Sequence, residues 1–231
     1  MAASFLIPGD PLFDDRRDAG RELAASLEAE RRPGLIVVGL ARGGMETAAE
    51  VARALDARLD VVAVRKIGHP WQPEYAIGAV TPDRGVFLRD TSGLDEQELA
   101  RVVEETKTKA TTLDRRLHAD YPAADLDGET VVLVDDGLAT GATMVAAVRW
   151  ARAAGAARVV AAVPVAAARS LELIQREADA VACPHALENF FAVGSWYRRF
   201  PQLDDEAVIQ LLAENRRARA PLAFAAGGQG T

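Results

Sequence analysis

The sequence predicts an α/β fold with a mostly parallel central sheet, helices on both faces and a small hood or cap. Short apolar runs that end in small-residue turns alternate with segments of helical spacing, which implies parallel strands joined by crossover helices. The 231 residues are 49% hydrophobic and 26% charged, a composition that suits one large core. We expect a single domain over residues 1–217, with a cap built by the N-terminal segment and residues 184–217, and a disordered tail over 218–231.

The first half of the chain contains two predicted strands and two predicted helices. An amphipathic helix at 18–30 precedes an apolar strand at 35–38. That strand ends in the glycine-rich turn at 39–44, and a helix follows at 45–55. A second buried strand is predicted at 60–64.

The middle of the chain is predicted to be less regular. Residues 65–74 are rich in glycine and proline and are interpreted as a long, mobile loop. Residues 76–80 and 85–88 have the pattern of an extended hairpin. A long helix is expected over 95–117, with Asp95 near its N-cap.

The second half repeats the alternation of strand and helix. Strands are predicted at 130–134, 158–163 and 179–183, and helices at 142–154, 167–177 and 204–217.

Charge and cysteine content limit the classes of function. The formal net charge is -7 and the isoelectric point is about 5.1, so the protein should repel a nucleic-acid backbone. Cys183 is the single cysteine, which excludes an intramolecular disulfide and favours a reducing compartment. Neither a secretory leader nor an apolar run of about 18 residues occurs, so we expect a cytoplasmic protein without a membrane or nucleic-acid partner.

The strongest chemical signal is the segment VVLVDDGLATGAT, Val131 to Thr143. A buried strand would hold Asp135 and Asp136 at its carboxyl end, where ligands bind in open α/β sheets. The small residues that follow let the backbone approach a phosphate, and the next helix would offer its N-terminal amides. The adjacent acids would repel a phosphate, so they suit sugar hydroxyls or a hydrated cation. A sugar phosphate with Mg²⁺ fits both halves.

Two other phosphate-binding loops are excluded. A Walker A loop needs a lysine after its last glycine, and none follows Gly141. The dinucleotide fingerprint G-x-G-x-x-G is absent from both 39–44 and 137–141.

The segment Val131 to Thr143 resembles the phosphoribosyl pyrophosphate motif of type I phosphoribosyltransferases along its whole length. Residues 39–44 are similar to that family's pyrophosphate-binding loop, and the likeness covers roughly 35–183. Residues 65–80 and 192–200 are similar to further landmarks of a little-characterised bacterial branch. The resemblance implies Mg²⁺-dependent transfer of phosphoribose from phosphoribosyl pyrophosphate to a nitrogenous acceptor, with release of pyrophosphate. It also implies pairing of two protomers.

The resemblance assigns roles to particular residues. The ribose hydroxyls would be bound by Asp135 and Asp136, with any metal contact made through water. The 5-phosphate would be held by Ala139, Thr140, Gly141, Ala142 and Thr143. The pyrophosphate would be met by Ala41, Arg42, Gly43 and Gly44, with a cis peptide bond near Ala41-Arg42. Candidates for stabilising the departing pyrophosphate are Arg65 and Lys66.

Several alternatives stay open at this point. Trp196 and Tyr197 either stack on a planar acceptor or pack beneath the last helix, and packing is favoured. Arg65 and Lys66 could instead face solvent at a strand end. The protein could also be a sensor that binds phosphoribosyl pyrophosphate or a nucleotide without catalysis. Hydrolysis or pyrophosphorolysis of a nucleotide in the same pocket is a third alternative.

Overall fold

The structure is a computed structural model that describes residues 11–89 and 91–220. The strands are β1 (Ile36–Ala41), β2 (Arg58–Ala63), β3 (Arg65–His69), β4 (Gln72–Val80), β5 (Val86–Leu88), β6 (Thr130–Val134), β7 (Arg158–Ala162), β8 (Val165–Ala167), β9 (Ala180–Ala182) and β10 (His185–Leu187). The helices are α1 (Arg16–Ser26), α2 (Gly44–Ala54), α3 (Glu96–Leu117), α4 (Ala142–Ala153), α5 (Ala168–Gln175) and α6 (Asp205–Arg219). Short 3-10 turns occupy Glu28–Glu30 and Val193–Trp196.

The central sheet has five strands in the order β2-β1-β6-β7-β9, and every pair is parallel. Its strands are apolar on both faces, as helix-covered parallel sheets require. Val37 of β1 and Val132 of β6 pack in the core on one side, while Val38 and Leu133 pack in the core on the other. The predicted fold class is confirmed.

Three of the helices begin at an aspartate cap. The side chains of Asp15, Asp95 and Asp204 accept hydrogen bonds from amides of the first turns of α1, α3 and α6. Such caps satisfy amide groups that have no partner within the helix. The cap role predicted for Asp95 is confirmed. Among the described residues, no helix combines the length and apolar character needed to cross a bilayer.

We use the name hood for a second, antiparallel sheet in the order β3-β4-β5, which lies outside the segments predicted to form the cap. The prediction of a mobile loop over residues 65–74 is wrong, because most of this segment lies in β3 and β4. Its breakers mark a register shift at Gly68 and the tight turn at Pro70, and they do not prevent pairing. The predicted hairpin of residues 76–80 with 85–88 is confirmed as β4 and β5.

Beside the central sheet, the start of the described chain packs on the aromatic segment near its end. Phe13 pairs with Tyr197 in a parallel bridge, and the amide of Arg198 donates to the carbonyl of Phe13 at 2.9 Å. The short parallel pair of β8 and β10 lies in the same region. Helix α6 continues to Arg219, two residues into the segment expected to be a disordered tail, and residues 221–231 lie outside the described residues.

Candidate functional site

A cavity of about 310 Å³ opens at the carboxyl ends of β1 and β6, the two central strands of the sheet. Its lining combines charged residues, small residues of two loops and a few apolar side chains. These are Arg16, Leu40, Ala41, Gly43, Val64, Lys66, Asp135, Asp136, Gly137, Leu138, Ala139, Thr140, Gly141, Thr143, Val193 and Phe200. The cavity lies where ligands bind in open α/β sheets.

The two aspartates that follow β6 both line this cavity. Asp136 is only 8% exposed, and its Oδ2 accepts a hydrogen bond from Nε of Arg16 at 2.8 Å. The hydroxyl of Tyr197 donates to the backbone carbonyl of Asp136. Asp135 is half-buried, and its Oδ1 accepts from the amide of Asp136 at 2.9 Å. Asp136 is thus tethered on two sides, whereas Asp135 has freedom to meet a ligand.

Arg16 is a site residue that the sequence did not reveal. It is 4% exposed, its Nη1 donates to the carbonyl of Pro201 at 2.6 Å, and its Cζ lies 3.7 Å from the centroid of the Phe200 ring. The segment DDRRD looks like a solvated helix start. Its partner Asp136 is 120 residues away, so no local pattern could have identified the ion pair.

Burial and proximity disturb the titration of both carboxyls. Burial, together with the charge of Asp136, raises the pKa of Asp135 well above its ordinary range, and the charges of Lys66 and Arg16 only partly oppose this. Burial also raises the pKa of Asp136, against the hydrogen bond from Arg16. Two carboxyls this close resist simultaneous ionisation, and such perturbed pairs are typical of functional sites.

The loop from residue 137 to residue 141 leads from the aspartates into α4. Gly141 has φ of 81°, a conformation that favours glycine, and it is the N-cap of α4. The loop is held by backbone bonds between Leu138 and β8 and by the Ser170 hydroxyl, which donates to the carbonyl of Ala139 at 2.7 Å. Within residues 11–89 and 91–220, no protein oxygen accepts a hydrogen bond from the amides of residues 139–143. These amides, at a helix N-terminus, can bind an anion.

A second loop, over residues 41–44, approaches the cavity from β1. The peptide bond between Ala41 and Arg42 is cis, at the position that the resemblance implies. A Cβ on Gly43 would lie 2.3 Å from Oδ2 of Asp136, so only glycine fits there. Ala41 and Gly43 line the cavity, but Arg42 and Gly44 do not. The Arg42 guanidinium instead contacts the start of α6, with Nε 3.3 Å from Oδ1 of Asp205.

The remaining predicted residues separate into two groups. Lys66 lines the cavity, whereas Arg65, the preceding residue, lines neighbouring cavities. Trp196 and Tyr197 are 9% and 5% exposed and pack in an aromatic cluster with Phe13 that contains no residue of α6, so they are packing residues, but at a place other than the predicted one beneath the last helix. The cavity wall nearby is supplied by other residues, Val193 and Phe200. Ala142, the first residue of α4, is buried and does not line the cavity.

The described residues contain no group of three or more His, Cys, Asp or Glu side chains placed to hold a metal ion. Mg²⁺ commonly keeps several waters and takes one or two carboxylates plus substrate phosphates. The half-buried Asp135 fits that kind of contact. Asp136, already bonded to Arg16, is less available.

Comparison with known proteins places these features in a family. Residues 13–195 match the family model of the phosphoribosyl transferase domain. This chain is 42% identical over 219 residues to two Mycobacterium tuberculosis proteins from different strains, each named as a candidate phosphoribosyl transferase. The match covers 89% of this chain. The chain spans 47% of the length of these relatives.

A solved structure resembles this chain over almost its whole length. The crystal structure of TT1426 from Thermus thermophilus is 40% identical in sequence and superposes with a TM-score of 0.75. The match covers 87% of this chain and 98% of that one. The protein therefore belongs to the phosphoribosyl transferase family, as the sequence of residues 131–143 had indicated.

Proposed function

We propose that this protein is a phosphoribosyltransferase that moves phosphoribose from phosphoribosyl pyrophosphate to a nitrogenous acceptor in an Mg²⁺-dependent reaction. One observation carries the proposal: a cavity places Asp135 and Asp136 beside the amides of residues 139–143, which have no acceptor within the described part of the chain. Carboxylates accept hydrogen bonds from a sugar diol, and amides at a helix N-terminus bind a phosphate. A ribose 5-phosphate carries a diol and a phosphate, so the carboxylates would bind the first and the amides the second.

The chain's own groups supply the binding and orientation in this proposal. The carboxyl of Asp135 accepts hydrogen bonds from the ribose hydroxyls, while Asp136 is held in place by Arg16. The hydroxyls of Thr140 and Thr143 join the amides around the 5-phosphate. These contacts fix C1 of the ribose relative to the incoming nitrogen, and such positioning lowers the entropic part of the barrier.

In this proposal the pyrophosphate binds on the side of the cavity away from the 5-phosphate. A new bond forms between C1 and the acceptor nitrogen as the bond from C1 to the pyrophosphate oxygen breaks, and the electron pair leaves with the pyrophosphate. Lys66 and the backbone at Ala41 and Gly43 face this departing charge in the cavity. Bound Mg²⁺ would add charge neutralisation on the pyrophosphate. Arg42 supports the loop through its contact with Asp205.

The cavity also has apolar residues in its lining. Leu40, Val64, Val193 and Phe200 line it beside the polar groups. Such a wall suits a flat nitrogenous ring, as small-molecule sites combine an apolar lining with a few placed polar groups. We propose that Phe200 contacts the acceptor, in place of Trp196 and Tyr197, for which packing was the favoured alternative.

The proposal is tested by incubating the protein with Mg²⁺, phosphoribosyl pyrophosphate and a panel of purine, pyrimidine and simple amine acceptors while pyrophosphate release is followed. Release that depends on one acceptor and drops at least 100-fold in Asp135→Asn supports transfer. Exposed Asp125→Asn, which touches nothing in the cavity, is the control. Tight donor binding with no release for any acceptor would favour the sensor alternative, and no donor binding at all would contradict both.

The third alternative is separated by the reverse assay. Supplying candidate nucleotides with pyrophosphate, or with water alone, distinguishes pyrophosphorolysis from hydrolysis. Transfer predicts formation of phosphoribosyl pyrophosphate only when pyrophosphate is present. Release of free base from the nucleotide in water alone would show that the cavity serves hydrolysis.

A further inference from the structure

A second cavity, of about 350 Å³, lies between β3 of the hood and helix α3. Five of its lining residues carry basic side chains: Arg65, Lys66, His69, Arg101 and Lys109. Its single acid is Glu105, whose Oε1 already accepts from Nη1 of Arg101 at 2.6 Å. The lining therefore has an excess of positive charge, although the protein as a whole has a formal charge of -7.

Regular secondary structure shapes this β3-α3 cavity. Ile67 of β3 is fully buried in a small apolar cluster against which Leu99 and Val102 of α3 pack. On α3, Arg101, Glu105 and Lys109 recur every four residues, so they lie along one face of the helix. The basic groups are consequently held on two packed elements, in an arrangement that can persist without a ligand.

Apart from Arg101, which pairs with Glu105, the basic residues of this lining form no ion pair within the described part of the chain. Among the residues that the structure describes, no carboxylate lies within ion-pair distance of Arg65, Lys66 or Lys109. Nε of Arg65 is buried and, within the same residues, has no hydrogen-bond partner. A buried donor without an acceptor destabilises the fold, and an anionic ligand that accepted its hydrogen bond would offset this. Paired basic side chains with converging donors are the usual means of binding phosphoryl groups.

We propose that the β3-α3 cavity is a second binding site, separate from the sugar-phosphate cavity, for an anion with two or more phosphoryl groups. The two or more negative charges of such an anion would balance those of Arg65, Lys66 and Lys109, which form no ion pair within the described residues. Free pyrophosphate and the diphosphate of a nucleotide share this chemistry. Lys66 lines both cavities, whereas Arg101 and Lys109 line the second cavity and not the first, so substitutions at these two positions report on the second site.

The test uses calorimetric titration of the full chain with inorganic pyrophosphate and, separately, with ADP, at low and at physiological salt. The double variant R101Q/K109Q removes two charges from the second cavity while leaving the sugar-phosphate cavity intact. Lys107→Gln is the matched control, because Lys107 lies on the same helix, carries the same charge and lines neither cavity.

We expect the wild type to bind pyrophosphate, and R101Q/K109Q to lose one equivalent or to bind it at least 10-fold more weakly. Lys107→Gln should bind like the wild type. A matching loss with ADP would show that a nucleotide can carry the diphosphate, and a loss confined to pyrophosphate would identify the free anion as the ligand.

Undiminished binding in R101Q/K109Q, equal weakening in Lys107→Gln, or no binding to the wild type would overturn the proposal. The result is independent of the transferase assignment. If the sugar-phosphate cavity bound nothing, the wild type would still take up one equivalent, and the double variant none.

Discussion

At the scale of single residues, the two adjacent aspartates have different structural situations despite their identical chemistry. Asp136 is bonded to the buried guanidinium of Arg16, while Asp135 is disturbed mainly by burial and by its neighbour's charge. The same substitution should therefore cost more stability at position 136 than at position 135.

Asp135→Asn should stabilise the ligand-free protein. The pKa of this carboxyl is raised in the fold above 3.8, so at neutral pH ionisation favours the unfolded chain. An amide removes that penalty, and we expect a gain of about 1 kcal/mol in the free energy of unfolding at pH 7. Urea denaturation at pH 7 measures it. A less stable Asp135→Asn would show that this carboxylate supports the fold.

Asp136→Asn should be the less stable of the two variants. Burial raises the pKa of this carboxyl as well, but the substitution also removes the nearest negative partner of Arg16, whose side chain is only 5% exposed, and leaves Glu46, at 3.9 Å, as its remaining carboxylate contact. We expect Asp136→Asn to be roughly 2–3 kcal/mol less stable than Asp135→Asn, since removing one partner of a buried ion pair is destabilising. The same urea series compares the two variants. Equal stability of the two variants would contradict the assigned asymmetry.

At the scale of elements, the loop of residues 41–44 packs closely against Asp136, two residues after the end of β6. Gly43 has φ of -56°, which any residue can adopt, so the need for glycine arises from space alone. The atom in the way is a carboxylate oxygen that Arg16 holds in position.

Gly43→Ala should therefore weaken binding of phosphoribosyl pyrophosphate at least 10-fold, with a loss of about 1–3 kcal/mol in stability from overpacking. Calorimetry with the donor and thermal melting measure the two effects. Gly93→Ala is the control: Gly93 has φ of 83° with open space around it, so it should cost stability while leaving binding unchanged. Unaltered donor binding in Gly43→Ala would refute the close packing of loop and carboxylate.

The sequence predicted those elements whose pattern is strong and local. The strand at 130–134 has the predicted bounds, because four apolar residues and the acids after them define both ends. Strand β3 was predicted to be a loop because Gly68 and Pro70 are typical of loops, whereas its strand conformation depends on pairing with β4. The pair β8 and β10 was missed, as strands of three residues carry too little pattern.

The candidate site shows the same limit. The aspartates and the small-residue loop are contiguous in sequence, so their motif could be read directly. Arg16 and Phe200 meet them only in the folded chain, from positions on opposite sides of the motif. Lys66 lines the cavity beside the aspartates and Arg65 does not, a difference that depends on how the hood packs against α3.

At the scale of the whole molecule, stability at alkaline pH should depend on His118, at the end of α3. Its Nε2 lies 3.1 Å from Oδ1 of Asp60 on β2, and its Nδ1 lies 3.4 Å from Oδ2 of Asp114. Asp60 is buried and also accepts from the amides of Val61 and Ala124. The histidine thus joins the sheet edge, the long helix and the segment leading to β6.

Burial alone would lower the pKa of His118, but hydrogen bonds and charges from Asp114 and Asp60 raise it to about 10, from 6.5 in the unfolded chain. Because the folded value is the higher one, protonation of His118 stabilises the protein fully below pH 6.5. That contribution falls as pH rises from 6.5 to 10. We expect His118→Gln to cost on the order of 2–4 kcal/mol at about pH 6 and much less at about pH 10.

The measurement is the free energy of unfolding of wild type and His118→Gln at about pH 6, 8 and 10, compared at each pH so that other titrating groups cancel. His185→Gln is the control, because His185 pairs with the exposed Glu22, and surface ion pairs contribute little. A difference between wild type and His118→Gln that stays constant across this pH range would mean that His118 acts through packing. A difference that becomes smaller as the pH rises would show that the charged histidine between two aspartates causes the loss of stability at alkaline pH.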